Sequence, residues 1–203
     1  MKSVDGIWLP DYDTHFAKHA KDGNYQAGVY LLAMRHVTSR HCAIDVGAHV
    51  GYWSRMMARD FEVVHAFEPH PDNYACLETN APPWVHMHLM GLGPNKGFGV
   101  LDTPAPDNSG AWKLHYTDQD NGHVIIDTLD SVVGMLGRTV GLLKVDVQDG
   151  EIGVLMGGKE MLRRDKPVVV VEENNAQPRD FLLGIGAELK QKFGRDVVMA
   201  WPR

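Results

Sequence analysis

Short apolar runs alternate along the chain with longer stretches in which apolar residues recur every three or four positions. A short continuous run is typical of a strand buried on both faces, and the longer period is typical of a helix with one buried face. The pattern predicts strands at residues 41–46, 62–67, 85–90, 141–147 and 167–173. It predicts helices at residues 24–37, 51–60, 71–80, 129–136, 151–164 and 178–185.

Strands that alternate with helices in this way predict a mostly parallel sheet with helices on both faces. This is the doubly wound α/β fold, of the Rossmann-like kind. Two further apolar stretches, residues 188–193 and 196–201, flank Gly194 and predict an antiparallel hairpin at the end of the chain.

The pattern is weaker between the third strand and the following helix. Residues 91–123 are rich in Gly, Pro, Asn and Asp, and they predict one or two short strands, around Val100 and Trp112. The turn sequence at residues 107–110 suits a loop beside a bound acceptor. Residues 1–40 are predicted as an N-terminal helical segment that packs on the core, so a single domain is expected overall.

Composition narrows the class of protein. The 203 residues are 44% hydrophobic and 23% charged, and the formal net charge of −6 argues against strong non-specific attraction to nucleic acid or an anionic membrane. No apolar run approaches the ~20 residues of a spanning helix and no signal peptide is evident, so we expect a cytoplasmic protein that does not enter membranes. Cys42 and Cys76 lack metal-site spacing, and His15 and His19 lack a third ligand, so no metal site is predicted.

Acidic residues follow several of the predicted strands. Asp45, Glu68, Asp146 and the pair at residues 172–173 all lie at or next to the end of an apolar run. Because parallel strands present their carboxyl ends at one edge of a sheet, these acids are expected to line one ligand-binding edge. The alternative is that each acid only caps or solvates the end of its own strand.

A glycine turn follows the first predicted strand of this sheet. The sequence from Gly47 to Gly51 is GAHVG, which lacks the G-x-G of a dinucleotide site and the Lys-Ser/Thr of a P-loop. Glu68 follows 21 positions after Gly47, where a carboxylate can accept both hydrogen bonds of a ribose diol. Such a site suits a nucleoside without a diphosphate, as in S-adenosylmethionine, and disfavours a nicotinamide dinucleotide. The alternative is a turn that only packs a helix against a strand.

Three blocks of sequence resemble the FkbM family of S-adenosylmethionine-dependent methyltransferases. They are IDVGAHVGYWS, HAFEPHPDNYACLETN, and the pair DTLDSVVG and VGLLKVDVQDGEIGVLMGGKEML, in family order between about Ile44 and Glu173. The resemblance implies a seven-stranded sheet that ends in an antiparallel hairpin, with residues 41–203 as the methyltransferase domain. It also implies O-methylation, with the hydroxyl of a sugar or small metabolite as the acceptor.

The resemblance carries roles onto particular residues. It implies cofactor contacts, with Glu68 on the ribose, at Asp45, Gly47, Ala48, His49, Gly51, Glu68, Pro69 and Leu92. Lys144 and Asp146 match the family's Lys-x-Asp and are the predicted catalytic pair, with Asp146 taking the acceptor's proton. Asp149 stands where the family usually has Gly, which affects the acceptor side of the site more than the cofactor side.

Other roles remain open from the sequence. His49 and His70 are alternative bases, because they neighbour the cofactor blocks and titrate near neutrality. A second hypothesis is a cofactor-binding module or inactive relative that acts through a partner protein. The chain has little beyond the core, so a second subunit of a homo-oligomer could complete the acceptor site. A small molecule or glycan is expected as the acceptor, and nucleic acid is not.

Overall fold

The computed structural model describes residues 1–19, 25–117 and 122–202. The strands are β1 (Lys2–Val4), β2 (Ile7–Leu9), β3 (Cys42–Val46), β4 (Val63–Phe67), β5 (Val85–His88), β6 (Gly91–Leu92), β7 (Gly97–Asp102), β8 (Lys113–Thr117), β9 (Val124–Asp127), β10 (Val140–Val145), β11 (Val168–Glu172), β12 (Glu188–Phe193) and β13 (Asp196–Ala200). The helices are α1 (Phe16–His19), α2 (Ala27–Met34), α3 (Tyr52–Asp60), α4 (Pro71–Asn80), α5 (Leu129–Leu136), α6 (Glu151–Gly157), α7 (Lys159–Asp165) and α8 (Gln177–Gly184).

In the described part of the chain, a seven-stranded sheet forms the centre of the fold, in the order β12-β13-β11-β10-β3-β4-β5. The pairs from β11 to β5 are parallel, and β13 is antiparallel to both of its neighbours. Strands β3, β10 and β11 are buried over their whole length, as their continuous apolar runs predict. The predicted doubly wound α/β fold and its terminal antiparallel hairpin are confirmed.

Helices cover both faces of this sheet. On one face, α5, α6 and α7 contribute buried side chains such as Leu129, Leu155 and Leu162. On the other face, α2 and α3 contribute Tyr30 and Met57. Full burial of a side chain of this size is worth about 1.5–3 kcal/mol, so the two layers hold the strand ends in a fixed arrangement.

Adjacent strand ends approach each other closely beside the glycine turn. Gly47 has a φ of 72°, and a Cβ added there would lie 1.8 Å from the backbone oxygen of Asp146. The turn therefore passes directly over the end of β10, and a side chain at residue 47 would collide with backbone. The close neighbour of this glycine is therefore the backbone after β10, while Gly47 also lines the cavity described below.

A second sheet occupies the region whose pattern was weak. Its order is β6-β9-β7-β8, which is more than the one or two strands predicted there. The difference arises because glycines replace the expected buried side chains. A Cβ at Gly99 would lie within 3 Å of both Leu114 and Ile126, and one at Gly91 would lie 2.2 Å from Leu114. Side chains from the neighbouring strands fill these spaces, so the apolar alternation disappears from the glycine-containing strands.

The predicted helix at residues 151–164 is two helices, α6 and α7, which meet at Gly158. A Cβ at Gly157 would lie 2.1 Å from the backbone oxygen of Gly93, and one at Gly158 would lie 2.8 Å from Leu129. The chain therefore breaks the helix where it passes closest to its neighbours.

The N-terminal segment contains a β-hairpin as well as helices, and the hairpin was not predicted. Asp5 and Gly6 form its turn with φ values of 50° and 82°, as two-residue hairpin turns require. The side chain of Asn80 holds β2 to α4, because it accepts from the Trp8 backbone N–H at 2.8 Å and donates to the Trp8 carbonyl at 2.8 Å. A helix was predicted at residues 24–37, and the structure contains the shorter helix α2 there. Residue 24, the first of the predicted helix, lies outside the described residues.

Across residues 1–19, 25–117 and 122–202, every helix is too short or too polar to cross a membrane. Within the same ranges, no group of three or more His, Cys, Asp and Glu side chains is arranged to hold a metal ion. Cys42 and Cys76 are buried free thiols, and burial raises the pKa of each to about 11.

Candidate active site

A cavity of about 440 Å³ lies at the carboxyl edge of the main sheet. The ends of β3, β4 and β10 form its floor, and the N-terminal segment, the second sheet and the loop around Ser109 form its walls. The structure brings together at this cavity most of the predicted site residues, namely Gly47, Ala48, His49, Glu68, Pro69, Leu92, Lys144 and Asp146.

Two predicted cofactor residues, Asp45 and Gly51, do not line the cavity. Asp45 is fully buried in β3, where its carboxylate accepts from the Ser54 hydroxyl at 2.6 Å and pairs with Lys144 at 3.2 Å. Gly51 precedes α3 with a φ of 96°, and a Cβ there would lie 2.8 Å from Leu77 of α4. Neither residue faces the cavity. Asp45 supports the site through its ion pair with Lys144, and Gly51 supports it by letting α3 pack closely on α4.

Lys144 fixes the glycine turn. Its ammonium donates to the backbone oxygens of Gly47 at 2.6 Å and Val46 at 3.4 Å, and it also pairs with Asp45. Burial disfavours the charge, but the nearby carboxylates of Asp45 and Asp146 outweigh burial and raise the pKa of Lys144. The side chain is only 5% exposed, so its donors are committed to the turn.

Glu68 is a buried carboxylate held by backbone amides. Oε2 accepts from the His49 N–H at 2.8 Å, and Oε1 accepts from the His70 N–H at 2.9 Å and from Asn73 Nδ2 at 3.4 Å. Burial raises the pKa of Glu68, and these hydrogen bonds oppose the rise. An ionised carboxylate has about four acceptor positions, so the side chain retains acceptor capacity on the cavity side.

A different set of carboxylates lies at the other end of the cavity, where Asp146 and Glu172 line it and Asp196 interacts with Asp146 without lining it. Burial, followed by the charge of Asp146, raises the pKa of Glu172 to about 7 and that of Asp196 to about 6. Arg195 pairs with Glu172 at 2.6 Å, and Gln26 donates to Asp196 at 3.3 Å. These partners do not cancel the repulsion, so this end of the cavity favours a bound cation.

Asp149 crosses the rim of the cavity. Its backbone has a φ of 75°, the left-handed conformation that favours glycine. Its carboxylate pairs with Lys113 of β8 at 2.5 Å and accepts from Asn174 at 3.0 Å. The side chain therefore ties the second sheet to the loop after β11.

Aromatic side chains cover part of the cavity. The rings of Tyr25 and Tyr52 lie 5.3 Å apart, and the ring of Phe16 lies 4.5 Å from the imidazole of His49. Trp53 Nε1 donates to Gln26 at 2.5 Å, which links the cover to the acidic end of the cavity. The hydroxyl of Tyr52 is buried and makes no hydrogen bond among the described residues.

Asp13 is a site residue that the sequence did not indicate. Its carboxylate accepts from the backbone N–H groups of Phe16 and Ser109, each at 2.8 Å, and from the Ser109 hydroxyl at 2.5 Å. Ser109 Oγ lies 2.6 Å from Nε2 of His49. The turn sequence around Ser109 was recognised, but the sequence does not connect it with Asp13, because the two residues are 96 positions apart.

His70, the other candidate base, lies beside the cavity and does not line it. Its Nδ1 accepts from the Asp72 backbone N–H at 3.3 Å at the start of α4, and its ring packs on Trp112 with centroids 4.2 Å apart. Burial lowers the pKa of His70. Its side chain supports the helix start and the second sheet.

The order of the main sheet, with β13 reversed, and a nucleoside-sized cavity over its glycine turn define a protein with the class I methyltransferase fold. The family model of the Methyltransferase FkbM domain matches residues 45–194, and the chain belongs to this family. No curated protein matches the chain.

Solved structures share the fold at low sequence identity. The FkbM methyltransferase of Methylobacillus flagellatus KT matches with a TM-score of 0.50 and 14% identity, over 98% of this chain and 56% of that chain. A precorrin 8w decarboxylase of Methanobacterium thermoautotrophicum matches with a TM-score of 0.51 and 10% identity, over 88% and 90% of the two chains. An rRNA methylase of Streptococcus thermophilus matches with a TM-score of 0.50 and 11% identity, over 87% and 95%. This chain thus spans little more than half the length of the FkbM methyltransferase.

Proposed function

We propose that the protein is an S-adenosylmethionine-dependent methyltransferase that methylates a hydroxyl group of a sugar, glycan or small metabolite. The observation that carries the proposal is the cavity itself, which has a hydrogen-bonded carboxylate at one end and repelling carboxylates at the other. Membership of the FkbM methyltransferase family supports the same reaction class.

The chain's own residues fit this cofactor. Glu68 has acceptor capacity for a ribose diol, and Pro69 and Leu92 line the same part of the cavity. The acidic end, where Asp146 and Glu172 line the cavity and Asp196 adds its charge from outside the lining, would hold the positive charges of an amino acid and a sulfonium. When bound, the cofactor supplies an activated methyl group, so the protein's task is to position the acceptor and to receive its proton.

Asp146 and Lys144 have separate tasks in this proposal. Lys144 keeps the glycine turn in place, since its ammonium is bonded to two backbone oxygens. Asp146 lines the cavity together with Glu172, and its charge would attract the cofactor's positive groups. In this proposal Lys144 supports the turn and Asp146 contributes charge to binding, while the prediction that Asp146 takes the acceptor's proton stays untested.

The main alternative is a cofactor-binding module that acts through a partner protein. The charged side chain of Asp149 favours it, because its bonds to Lys113 and Asn174 lie on the side of the site that the family resemblance gives to the acceptor. A second copy of the chain, in a homo-oligomer, would be one way to complete the acceptor site. The methyltransferase reading predicts turnover, and the module reading predicts binding alone.

The test has two stages. Calorimetry with S-adenosylhomocysteine measures cofactor binding, with Glu68→Ala as the binding-deficient variant and Asp102→Asn, on an exposed strand position, as the matched control. Transfer of label from methyl-labelled cofactor is then measured over a panel of glycans, hydroxylated metabolites and RNA. Transfer to a hydroxyl compound supports the proposal. Transfer to RNA alone contradicts the acceptor class, and binding without transfer to any compound supports the module.

A further inference from the structure

A hydrogen-bonded chain of three side chains runs from the N-terminal segment to the cavity wall. Asp13 and Ser109 are both fully buried, and Asp13 accepts from the Ser109 hydroxyl at 2.5 Å. Ser109 Oγ lies 2.6 Å from Nε2 of His49, which lines the cavity. Asp13 precedes the residues that the family model matches, so the family assignment gives it no role.

The chemistry of the three groups sets the direction of the hydrogen bonds. An ionised carboxylate can only accept, so the single hydroxyl proton of Ser109 is donated to Asp13. Ser109 Oγ must then accept from His49, which places the imidazole proton on Nε2. The other ring nitrogen, Nδ1, is left with its lone pair. It makes no hydrogen bond to any residue within 1–19, 25–117 and 122–202.

The ring of His49 is held on three sides. Its backbone N–H donates to Glu68 at 2.8 Å, its ring packs on Phe16, and its Nε2 is fixed by Ser109. The residue also has a φ of 53°, a conformation that is uncommon outside glycine and is kept here by these contacts. The imidazole therefore has one orientation and one ring nitrogen without a hydrogen bond among the described residues, and it lies close enough to Asp146 to feel that residue's charge.

We propose that Nδ1 of His49 receives the proton of the acceptor hydroxyl, and that Asp13 and Ser109 are the positioning residues that fix the tautomer and orientation of His49. The inference rests on the proposed function. In the step, an oxygen lone pair of the acceptor forms the new O–CH₃ bond while the C–S bond breaks and leaves its electron pair on sulfur. The O–H bond of the acceptor breaks, its electrons stay on oxygen, and the proton passes to Nδ1.

The surroundings of His49 keep its imidazole neutral and make it a weak base, an effect that the charge of Asp13 partly offsets. Burial lowers the pKa of His49 to about 4, and the charge of Asp13 opposes that shift. The imidazole is thus neutral near pH 7, which is the form that can receive a proton. The titratable groups that face or contact the residue are Asp13, through Ser109, and Glu68, His70, Lys144 and Asp146.

The first experiment needs no acceptor. Nitrogen NMR of protein with ¹⁵N-labelled histidine, bound to S-adenosylhomocysteine, reports the tautomer of each histidine, and the His49→Gln spectrum assigns the signal of residue 49. We expect the Nε2–H tautomer in the native protein and a mixture of tautomers in Ser109→Ala, which keeps the backbone N–H to Asp13 and should fold. An Nδ1–H tautomer in the native protein, or a tautomer unaffected by Ser109→Ala, would overturn the inference.

The second experiment measures methyl transfer to the hydroxyl acceptor identified by the labelled panel. We expect kcat to fall by about 10²- to 10⁴-fold in His49→Gln, the usual contribution of a positioned base. In Ser109→Ala we expect kcat to fall about tenfold, with KM and the dissociation constant of S-adenosylhomocysteine within about twofold of native. In Asp13→Asn, the acid limb of the kcat profile should move to lower pH, because the charge that raises the pKa of His49 is removed.

The controls separate this inference from the proposed function. His115→Gln, which changes an exposed histidine of β8, should match the native protein. Asp13→Asn provides a second variant if Ser109→Ala does not fold, with the same expected loss in kcat. Native turnover that survives His49→Gln overturns the inference alone. A native protein that binds S-adenosylhomocysteine but methylates no compound contradicts the proposed function and the base assignment together.

Discussion

The carboxylates at the two ends of the cavity differ in their partners: one end supplies hydrogen-bond donors, and the other brings like charges together. At one end, Glu68 accepts three hydrogen bonds from groups that the fold holds in place. At the other end, Glu172 and Asp196 repel Asp146, and the pKa of each is raised to about 7 and about 6 respectively. The first end holds its carboxylate with fixed donors, whereas the second keeps repelling carboxylates that Arg195 only partly neutralises. Orientation of a ligand is therefore set at one end, and discrimination by charge at the other.

The glycine turn joins these two ends, and breaking it should have the largest effect. A Cβ at Gly47 would lie 1.8 Å from the Asp146 backbone oxygen and would also require a positive φ. We expect Gly47→Val to lower the free energy of unfolding by on the order of 4 kcal/mol, measured by urea denaturation. Gly134→Ala is the matched control, since no atom lies within 4 Å of its added Cβ. A folded Gly47→Val protein of near-native stability would show that the close approach is absent in solution.

Loss of the Glu68 carboxylate should have the next largest effect. Glu68→Ala removes the acceptor for a diol and also leaves the His49 and His70 amides without their partner. We expect the binding free energy of S-adenosylhomocysteine to weaken by about 1.5–3 kcal/mol in calorimetry, the range for hydrogen bonds to a charged group. Unchanged affinity in a folded variant would remove Glu68 from the cofactor site.

Removal of charge at the acidic end should act selectively on the cationic form of the cofactor. Asp146→Asn keeps the shape of the side chain, and we expect S-adenosylmethionine to bind about tenfold more weakly, because an ion pair is lost. The loss for S-adenosylhomocysteine should be smaller, since its sulfur is neutral. Unchanged affinity combined with a 10²- to 10⁴-fold fall in kcat would instead make Asp146 the base, in place of His49.

The smallest expected effect is a release of protons on binding. A carboxyl group whose pKa is raised on folding stabilises the fold fully below its unfolded pKa, and this stability is lost as pH rises through the folded pKa. For Glu172 the window runs from its ordinary value near 4.5 to about 7. A bound cation should lower this pKa, so calorimetry at pH 6.5 in buffers of different ionisation enthalpy should detect the release of less than about one proton.

The Glu172→Gln variant provides the control for this measurement. It should release fewer protons than the native protein when S-adenosylmethionine binds, and S-adenosylhomocysteine should release fewer in either protein. Equal release from the two proteins would place the titrating group elsewhere in the cavity.

The sequence predicted those elements that are buried by means of their own apolar side chains. The strands at residues 141–147 and 167–173 are continuous apolar runs, and the structure contains them as β10 and β11. The second sheet was underestimated because spaces beside Gly91 and Gly99 are filled by Leu114 of another strand. The N-terminal hairpin had a local signal, since Asp-Gly is a favoured two-residue turn, but its strands are too short to show alternation.

The site could be predicted only where a local motif exists. The glycine turn and Glu68 follow from spacing along the chain, and both line the cavity. Asp45 lies in the same motif, one residue before the end of β3. Its side chain points into the fold, towards Ser54, and does not reach the cavity. Asp13 was missed because its role depends on contact with Ser109, and no pattern in one sequence records that contact.

The link between Asn80 and β2 has a consequence for how the protein avoids aggregation. A two-stranded hairpin leaves a free edge whose backbone groups can pair with a strand of another molecule. Here one side-chain amide occupies both the N–H and the carbonyl of Trp8, beside an indole that is 38% exposed. The amide of Asn80 thus takes the place of a neighbouring strand at this point, and it closes an apolar edge that would otherwise invite self-association.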